Sequence, residues 1–197
     1  MLKINKKAEP EFFKKFKIRY KYKNWNDYNS DAGKEIKEKL KENMLEKEQD
    51  WYCPYCERKI SSIGKSHIEH IVPRNTAPDI FQDYFNFLTC CMSKETCGMK
   101  KGNEYSENFI NPVLENPEEY FEYDIKTGKI KIKPNSKAKM IKAEETIRIL
   151  NLNNERLKDQ RYEILKQMEM MKNSGCLSIF EDGNFPTLVK YFIENHK

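Results

Sequence analysis

The sequence predicts an α+β protein in which short strands, bounded by two pairs of cysteines, lie between amphipathic helices. Three observations lead to this fold class. Two cysteine pairs, Cys53 with Cys56 and Cys91 with Cys97, surround a segment that alternates like a strand. Apolar residues recur at helical spacing before and after that segment. A second alternating segment, residues 120–132, contains a Lys-Thr-Gly turn and predicts an additional β-hairpin.

The composition describes a very polar protein with room for one globular domain. The chain has 197 residues, of which 34% are charged, and a mean hydropathy of −0.90. Its modest core therefore fits one domain better than two. No apolar run approaches the roughly 20 residues that span a bilayer, and the lysine-rich first residues lack the apolar stretch of a secretory signal. We expect a cytoplasmic protein with no membrane role.

The net charge of +5 is compatible with nucleic-acid binding but does not require it. Most of the basic residues are lysines, and only six are arginines. Arginine is the residue best suited to reading bases through paired hydrogen bonds. We therefore expect contacts with a nucleic-acid backbone to outweigh recognition of sequence.

The N-terminal segment, residues 1–52, is predicted to hold a basic, aromatic stretch and a helix. In the first 23 residues, Lys and Arg alternate with five aromatic side chains, Phe12, Phe13, Phe16, Tyr20 and Tyr22. This pattern fits either a helix docked on the core or a surface that stacks bases, and docking is the simpler interpretation. Residues 31–50 have apolar side chains at helical spacing among Glu and Lys, which predicts an amphipathic helix.

The central segment, residues 53–112, is predicted to form a hairpin followed by a helix. Short strands are expected on either side of residues 61–65, with the turn at Gly64. A helix is expected from about Gly98. This segment holds all four paired cysteines, so we expect it to carry the chemistry of the protein.

The C-terminal segment, residues 113–197, is expected to form one compact unit with the core. It contains the predicted hairpin at 120–132. Helical spacing then runs from 137 to 173 with a break at 151–154, where an asparagine can cap a new helix. Two helices are therefore predicted rather than one. A short terminal helix is expected over residues 185–196.

The paired cysteines predict a metal site. In a reducing compartment, two such pairs bind metal more often than they form disulfides. The spacing of Cys53 and Cys56 directs both sulfurs at one ion, and Cys91 with Cys97 completes a tetrahedral zinc site. Zinc binding there would stabilise a loop that a small core could not hold. Cys90 is an alternative to Cys91, and the cysteines outside the four are expected to be ordinary thiols.

The same stretch carries the motif of a known family. Glu69 and His70 are followed by Pro73, Asn86 lies in mid-motif, and the last paired cysteine precedes Lys101-Gly102. Together with the cysteines, these residues resemble the HNH (ββα-metal) endonucleases of the zinc-bound type. A narrower resemblance, to the HNH nuclease subunit of Septu-type and retron-associated antiphage defence systems, extends over most of the chain. It is carried by Cys56-Glu57, Ile68-Glu69-His70, Asp83-Tyr84-Phe85-Asn86-Phe87-Leu88, Ile110-Asn111-Pro112, Tyr120-Phe121-Glu122-Tyr123 and Leu150-Asn151-Leu152-Asn153.

The resemblance implies a ββα-metal core with structural zinc, and it implies roles for single residues. His70 corresponds to the general base, because an imidazole with a pKa near 6.5 can take a proton from water at neutral pH. Glu69 corresponds to a ligand of the catalytic Mg²⁺ or Mn²⁺. Asn86 corresponds to the residue that holds the base-bearing loop by hydrogen bonds. The family's second-knuckle cysteine lies five residues after this asparagine, which favours Cys91 over Cys90.

Each of these assignments has a simpler alternative. His70 could be a core histidine or a further zinc ligand, Glu69 could form a surface ion pair, and Asn86 could be a turn residue. The chain also departs from the family at Gly98, where relatives commonly have an asparagine as second metal ligand. Asn103 is the nearest substitute, unless substrate phosphate completes the site.

Four further side chains are candidates for contacts with nucleic acid. His67 shares a strand face with Glu69 and is expected to support the site or to contact a phosphate. Arg74, Lys100 and Lys101 are candidates for phosphate binding. Ordinary surface charge is an almost equal alternative for these three.

The sequence therefore predicts a metal-dependent phosphodiesterase with a structural zinc. The resemblance implies an antiphage effector controlled by an ABC-type ATPase, which would dock on the helices outside the motif. A zinc-ribbon module that binds nucleic acid without cleaving it is the main alternative, and a pure interaction subunit is a weaker one. Both DNA and RNA are open as substrates, because ββα-metal sites mainly read backbone shape.

Overall fold

The computed structural model describes residues 1–174 and 176–195 and has the predicted α+β class. Helices surround two small antiparallel sheets of two strands each. Short 3-10 turns occur in the connections between them. In chain order the helices and strands are α1 (Glu11–Tyr20), α2 (Asp31–Lys47), β1 (Ser66–His70), β2 (Phe87–Cys91), α3 (Cys97–Lys101), β3 (Phe121–Asp124), β4 (Lys129–Ile132), α4 (Lys137–Leu150), α5 (Glu155–Met171) and α6 (Pro186–Asn195).

The first sheet pairs β1 with β2, so that Glu69 lies opposite Leu88. The predicted hairpin with its turn at Gly64 is wrong. That glycine lies in a 3-10 turn, and the residues before it form only an isolated bridge between Tyr52 and Lys59. The observed pairing places the apolar strand β2 in the core beneath α2. Burial of that strand stabilises the sheet in a way that the local turn could not.

The helix predicted over residues 31–50 is confirmed as α2. Ser30 caps its first turn by accepting a hydrogen bond from the Gly33 backbone N–H at 3.2 Å. In the preceding helix, α1, Phe13 and Phe16 are buried against other aromatic rings. The docking interpretation of the N-terminal segment is therefore confirmed for these two side chains.

The hairpin and the helices of the C-terminal segment are also confirmed. Gly128, with φ of 68°, lies in the turn between β3 and β4. Asn151 ends α4 in the left-handed conformation, and Asn154 caps α5 by accepting from the Arg156 backbone N–H. The last helix, α6, is present, and the predicted end of this helix at His196 lies outside the described residues.

The first sheet lies between two apolar clusters. A smaller aromatic cluster contains Phe13 and Phe87, and a larger cluster contains Leu88 together with side chains from the start and the end of the chain, such as Ile4 and Leu188. Neighbouring residues of β2 thus face different clusters, as the alternation of a strand requires. All three predicted segments contribute to the larger cluster, and the division between them remains a prediction. None of the described helices is long and apolar enough to cross a lipid bilayer.

Candidate functional site

Four cysteine sulfurs converge beside the first sheet. The Sγ atoms of Cys53, Cys56, Cys91 and Cys97 all lie within 4.8 Å of one another. The sulfurs of Cys56 and Cys91 are 3.8 Å apart, which is about the sulfur–sulfur distance in a tetrahedron with zinc–sulfur bonds of about 2.3 Å. The number, type and spacing of these donors fit a structural zinc ion.

Two tight turns bring the cysteine pairs together. In the first, the Glu57 backbone N–H donates to the Cys53 carbonyl at 2.8 Å, and Glu57 adopts a left-handed φ of 64°. In the second, Cys97 itself has a φ of 62°, which turns its side chain back toward the site. The side chain of Asn151 anchors the long second loop by donating to the Glu95 carbonyl at 3.0 Å. This anchoring accommodates the unusual five-residue gap between the second pair of cysteines.

Of the two adjacent cysteines, the cluster of four sulfurs includes Cys91 and not Cys90. Cys90 is buried in the larger apolar cluster, and this burial raises the pKa of its thiol. Arg58 is a partner of the site that sequence reasoning missed, because its Nε lies 3.4 Å from the Cys56 sulfur. Its Nη2 lies 3.8 Å from the Cys91 sulfur. The sequence signal that could have predicted this contact is a basic residue two positions after the first cysteine pair.

Glu69 is buried on β1, and Lys101 is its partner. The Lys101 Nζ lies 2.8 Å from Glu69 Oε1 and donates a second hydrogen bond to the His70 carbonyl at 2.9 Å. Its side chain is wholly inaccessible to solvent. This burial argues against the predicted phosphate contact by Lys101, because the ammonium is enclosed against Glu69 instead of facing the surface.

The other carboxylate oxygen of Glu69 faces His67 and the start of α3. Glu69 Oε2 lies 3.6 Å from His67 Nε2, as the alternation along the strand predicted. A Cβ added at Gly98 would lie 2.5 Å from Glu69 Oε2 and 2.9 Å from His67 Nε2. Both distances are too short for a side chain to fit without movement. Glycine at this position is therefore explained by the close approach of the two side chains.

His70 lies on the opposite side of β1 in an aromatic pocket. Its ring stands edge-on to Trp25 and Phe87, with centroid distances of 4.6 Å and 5.0 Å. Its Nε2 is 3.0 Å from the Phe81 carbonyl. A carbonyl only accepts, so Nε2 carries a proton and Nδ1 keeps the lone pair. Burial lowers the pKa of His70 to about 4, which keeps the imidazole neutral at neutral pH.

Asn86 fixes the loop that follows His70. Its side chain accepts from the Val72 backbone N–H at 2.8 Å and donates to the Val72 carbonyl at 3.0 Å. Its own carbonyl accepts from the Ile71 backbone N–H at 2.9 Å. These are the loop contacts that the resemblance implied, and a contribution of Asn86 to catalysis stays a prediction.

The remaining predicted residues lie nearer the surface. Arg74 is exposed, with its guanidinium carbon 5.5 Å from the centre of the Trp25 ring. Arg74 and Asn103 line an open cavity of about 400 Å³ together with Trp25 and Phe81, and Lys100 is exposed on α3. Within residues 1–174 and 176–195, no hydrogen bond joins Asn103 to Glu69.

Comparison with known proteins finds a similarity over about half of the chain. No family model matches the chain. Among curated proteins, the chain is similar to the Septu protein PtuB of Bacillus thuringiensis, with 30% identity over 107 residues. The match covers 51% of this chain and 36% of that protein. The chain thus spans about a third of the length of the curated relative, at low identity, and the similarity supports a relationship to PtuB.

Proposed function

We propose that this protein is a metal-dependent endonuclease of the HNH type, which hydrolyses phosphodiester bonds in DNA or RNA as the effector of an antiphage defence system. The observation that carries the proposal is a buried carboxylate, Glu69, next to a neutral histidine, His70, on a strand beside a four-cysteine site. The similarity to a Septu protein supports the biological setting.

His70 would act as the general base. Its Nε2–H donates to the Phe81 carbonyl, so the ring orientation is fixed and Nδ1 is left to take a proton from water. The low pKa keeps this nitrogen unprotonated at neutral pH. Asn86 would act as a positioning residue, because its two hydrogen bonds to Val72 set the path of the chain immediately after the base.

Glu69 would hold the catalytic ion, Mg²⁺ or Mn²⁺. Such an ion, when bound, supplies positive charge at the phosphate and at the leaving oxygen. Lys101 orients the carboxylate by occupying Oε1, which leaves Oε2 available on the side of His67. The four cysteines would hold zinc in a structural role, since four thiolates leave no open position for substrate.

Nucleic acid would enter along the cavity beside Trp25. Arg74 offers an exposed guanidinium at its edge, and Lys100 offers an exposed ammonium on the nearby helix α3. Both are suited to backbone phosphates. Contacts of this kind carry little sequence information, so we propose cleavage of broad specificity.

A nuclease of broad specificity needs restraint in its host, and we propose that an ABC-type ATPase supplies it. The resemblance of the chain to the nuclease subunit of Septu-type systems supports this partner. Co-purification of the chain with the ATPase encoded beside it tests the interaction. Separate elution of the two proteins at micromolar concentration, with and without ATP, would argue against it.

The decisive test of the activity is a cleavage assay with a matched variant. The zinc-loaded protein, alone and with the ATPase, is incubated with duplex DNA, single strands and tRNA in Mg²⁺ or Mn²⁺. We expect metal-dependent cleavage of at least one substrate and a loss of about 10²-fold or more in the His70→Ala variant, the range for removal of a general base. Binding without cleavage under every condition would favour the non-catalytic zinc module.

A further inference from the structure

We propose that His67, through Nε2, is the second protein ligand of the divalent ion held by Glu69. This inference rests on the proposed function. The first turn of α3 has no side chain for the role of second metal ligand, because the position is Gly98. The inference assigns this role to a strand residue. The site would then be built from two side chains of β1 that lie two residues apart on one face.

The first argument is that the two carboxylate oxygens of Glu69 have different neighbours. Oε1 is taken by the Lys101 ammonium at 2.8 Å. Oε2 has no hydrogen bond within residues 1–174 and 176–195, and His67 Nε2 lies 3.6 Å from it. Two ligands on one ion, with metal–ligand bonds of about 2.1 Å, are commonly about 3 to 4 Å apart. The pair is therefore spaced for a shared cation.

The second argument is the lack of other partners for His67. Its Nδ1 is buried and has no hydrogen-bond partner in the described part of the chain. Its Nε2 is too far from Glu69 Oε2 for a hydrogen bond of normal length. In a neutral imidazole one ring nitrogen carries the proton and the other keeps a lone pair. Because no protein hydrogen bond within the described residues uses Nε2, this nitrogen can offer its lone pair to a cation while Nδ1 keeps the proton.

The third argument is the space around Gly98. A Cβ at this position would lie 2.5 Å from Glu69 Oε2 and 2.9 Å from His67 Nε2. An asparagine there would have to displace both side chains. Thus His67 lies where the side chain of a helix-borne ligand would be, and glycine is the residue that permits this. The glycine at position 98 thus leaves free the space into which the His67 imidazole extends.

Asn103, the substitute that the sequence suggested, is less well placed. It lies two residues beyond the end of α3 and lines the cavity of Arg74 and Trp25. It makes no hydrogen bond with Glu69 or His67 in the described part of the chain. The geometry therefore favours His67.

The test measures metal binding instead of cleavage. Mn²⁺ is titrated into the zinc-loaded protein while electron paramagnetic resonance follows free and bound ion, and pulsed spectra of the bound ion report coupling to a ligating ¹⁴N nucleus. We expect wild-type protein to bind one Mn²⁺ with ¹⁴N coupling. The His67→Ala variant should lose the coupling and bind at least about tenfold more weakly.

Matched variants identify the ligand among the three histidines of the chain. His70→Ala and Asn103→Ala should each retain the ¹⁴N coupling and the affinity. His67→Phe keeps a ring of similar size but has no donor, and its zinc content and circular dichroism show whether the fold is intact. Retention of the coupling in folded His67→Phe would overturn the inference.

The same titration separates the failure of this inference from the failure of the proposed function. If wild-type protein binds no Mn²⁺, with or without a bound oligonucleotide, the metal-dependent mechanism itself is contradicted. If wild-type protein binds Mn²⁺ and Glu69→Gln abolishes binding, but both His67 variants bind normally, only the role of His67 is overturned.

Discussion

The Lys101 ammonium and the Glu69 carboxylate form a buried ion pair with 2.8 Å between Nζ and Oε1. The lysine side chain has no exposed surface, and the glutamate side chain is only 7% exposed. Each charge therefore depends on the other, because an isolated charge in the interior is strongly unfavourable. The second hydrogen bond of the ammonium, to the His70 carbonyl, ties this pair to the strand that carries both catalytic candidates.

Replacement of Lys101 by Met should destabilise the metal-free site. The variant leaves the Glu69 carboxylate buried without a counter-charge, for which we expect a loss of about 3–5 kcal/mol in the free energy of unfolding. Urea unfolding of the zinc-loaded protein without Mg²⁺ or Mn²⁺ measures it. Lys100→Met, at the exposed neighbouring position, should change stability by less than about 0.5 kcal/mol. Equal effects of the two substitutions would show that the ion pair is not important for stability.

Mn²⁺ should partly restore the Lys101→Met variant. A cation at Glu69 would replace the missing positive charge, so the unfolding midpoint should rise more with Mn²⁺ in the variant than in wild-type protein. Unfolding curves recorded with and without the ion give this difference. A smaller rise in the variant would mean that the orientation of the carboxylate by Lys101 contributes more to metal binding than the removal of its charge does.

The two adjacent cysteines should respond differently to removal of the thiol. Cys91→Ser should release zinc and unfold or aggregate, as should Cys53→Ser, because loss of one thiolate opens the tetrahedron and removes folding free energy. Cys90→Ser should keep one zinc per chain, since its sulfur lies outside the cluster. Elemental analysis of each purified variant provides the comparison. A well-folded Cys53→Ser protein, or wild-type protein without zinc, would contradict the structural zinc site.

Asn86→Ala should reduce cleavage more than it reduces zinc binding. It removes two hydrogen bonds to Val72 and leaves that backbone N–H and carbonyl partly buried without partners, at a cost of about 1–3 kcal/mol in stability. The exposed Asn75, in the same loop, provides the control substitution to alanine. Cleavage rates, zinc contents and urea midpoints of both variants are compared. Similar rates for Asn86→Ala and Asn75→Ala would exclude a positioning role.

The stability of the protein should depend on pH through His70. Its folded pKa is about 4 because of burial, whereas the unfolded value is about 6.5. Between these values the unfolded chain binds the proton and the folded chain does not, so stability falls as pH decreases. Relative to His70→Gln, wild-type protein should lose roughly 2 kcal/mol between pH 7 and pH 5. Urea unfolding across this range measures it, and zinc loss affects both proteins alike. Parallel curves would show that His70 is not buried in its neutral form.

Some features of the site follow directly from sequence periodicity and spacing. The alternation of a strand places His67 and Glu69 on one face, and the structure has them there. This prediction succeeds because local strand geometry alone determines it. The family resemblance favoured Cys91 over Cys90 by its distance from Asn86, and the cluster contains Cys91.

Other features depend on contacts between distant residues and could not be read in the same way. The pairing of β1 with β2 is decided by burial against α2, while the nearby Gly64 suggested a local turn. The burial of Lys101 follows from where α3 packs. It could not be predicted from the sequence, in which Lys101 is one lysine of a basic stretch. The approach of Glu69 to Gly98 likewise exists only after the sheet and α3 are assembled.

Helix α3 has only five residues, and each end of it belongs to a different site. Cys97, at its start, is one of the four clustered cysteines, and Lys101, at its end, is the partner of Glu69. A helix this short does not persist by its own hydrogen bonds, so its placement comes from these attachments. A movement of α3 caused by binding at one end would therefore alter the other end as well. If a cation at Glu69 displaces α3, it must change the dissociation constant for zinc by the same factor by which zinc changes the affinity for that cation.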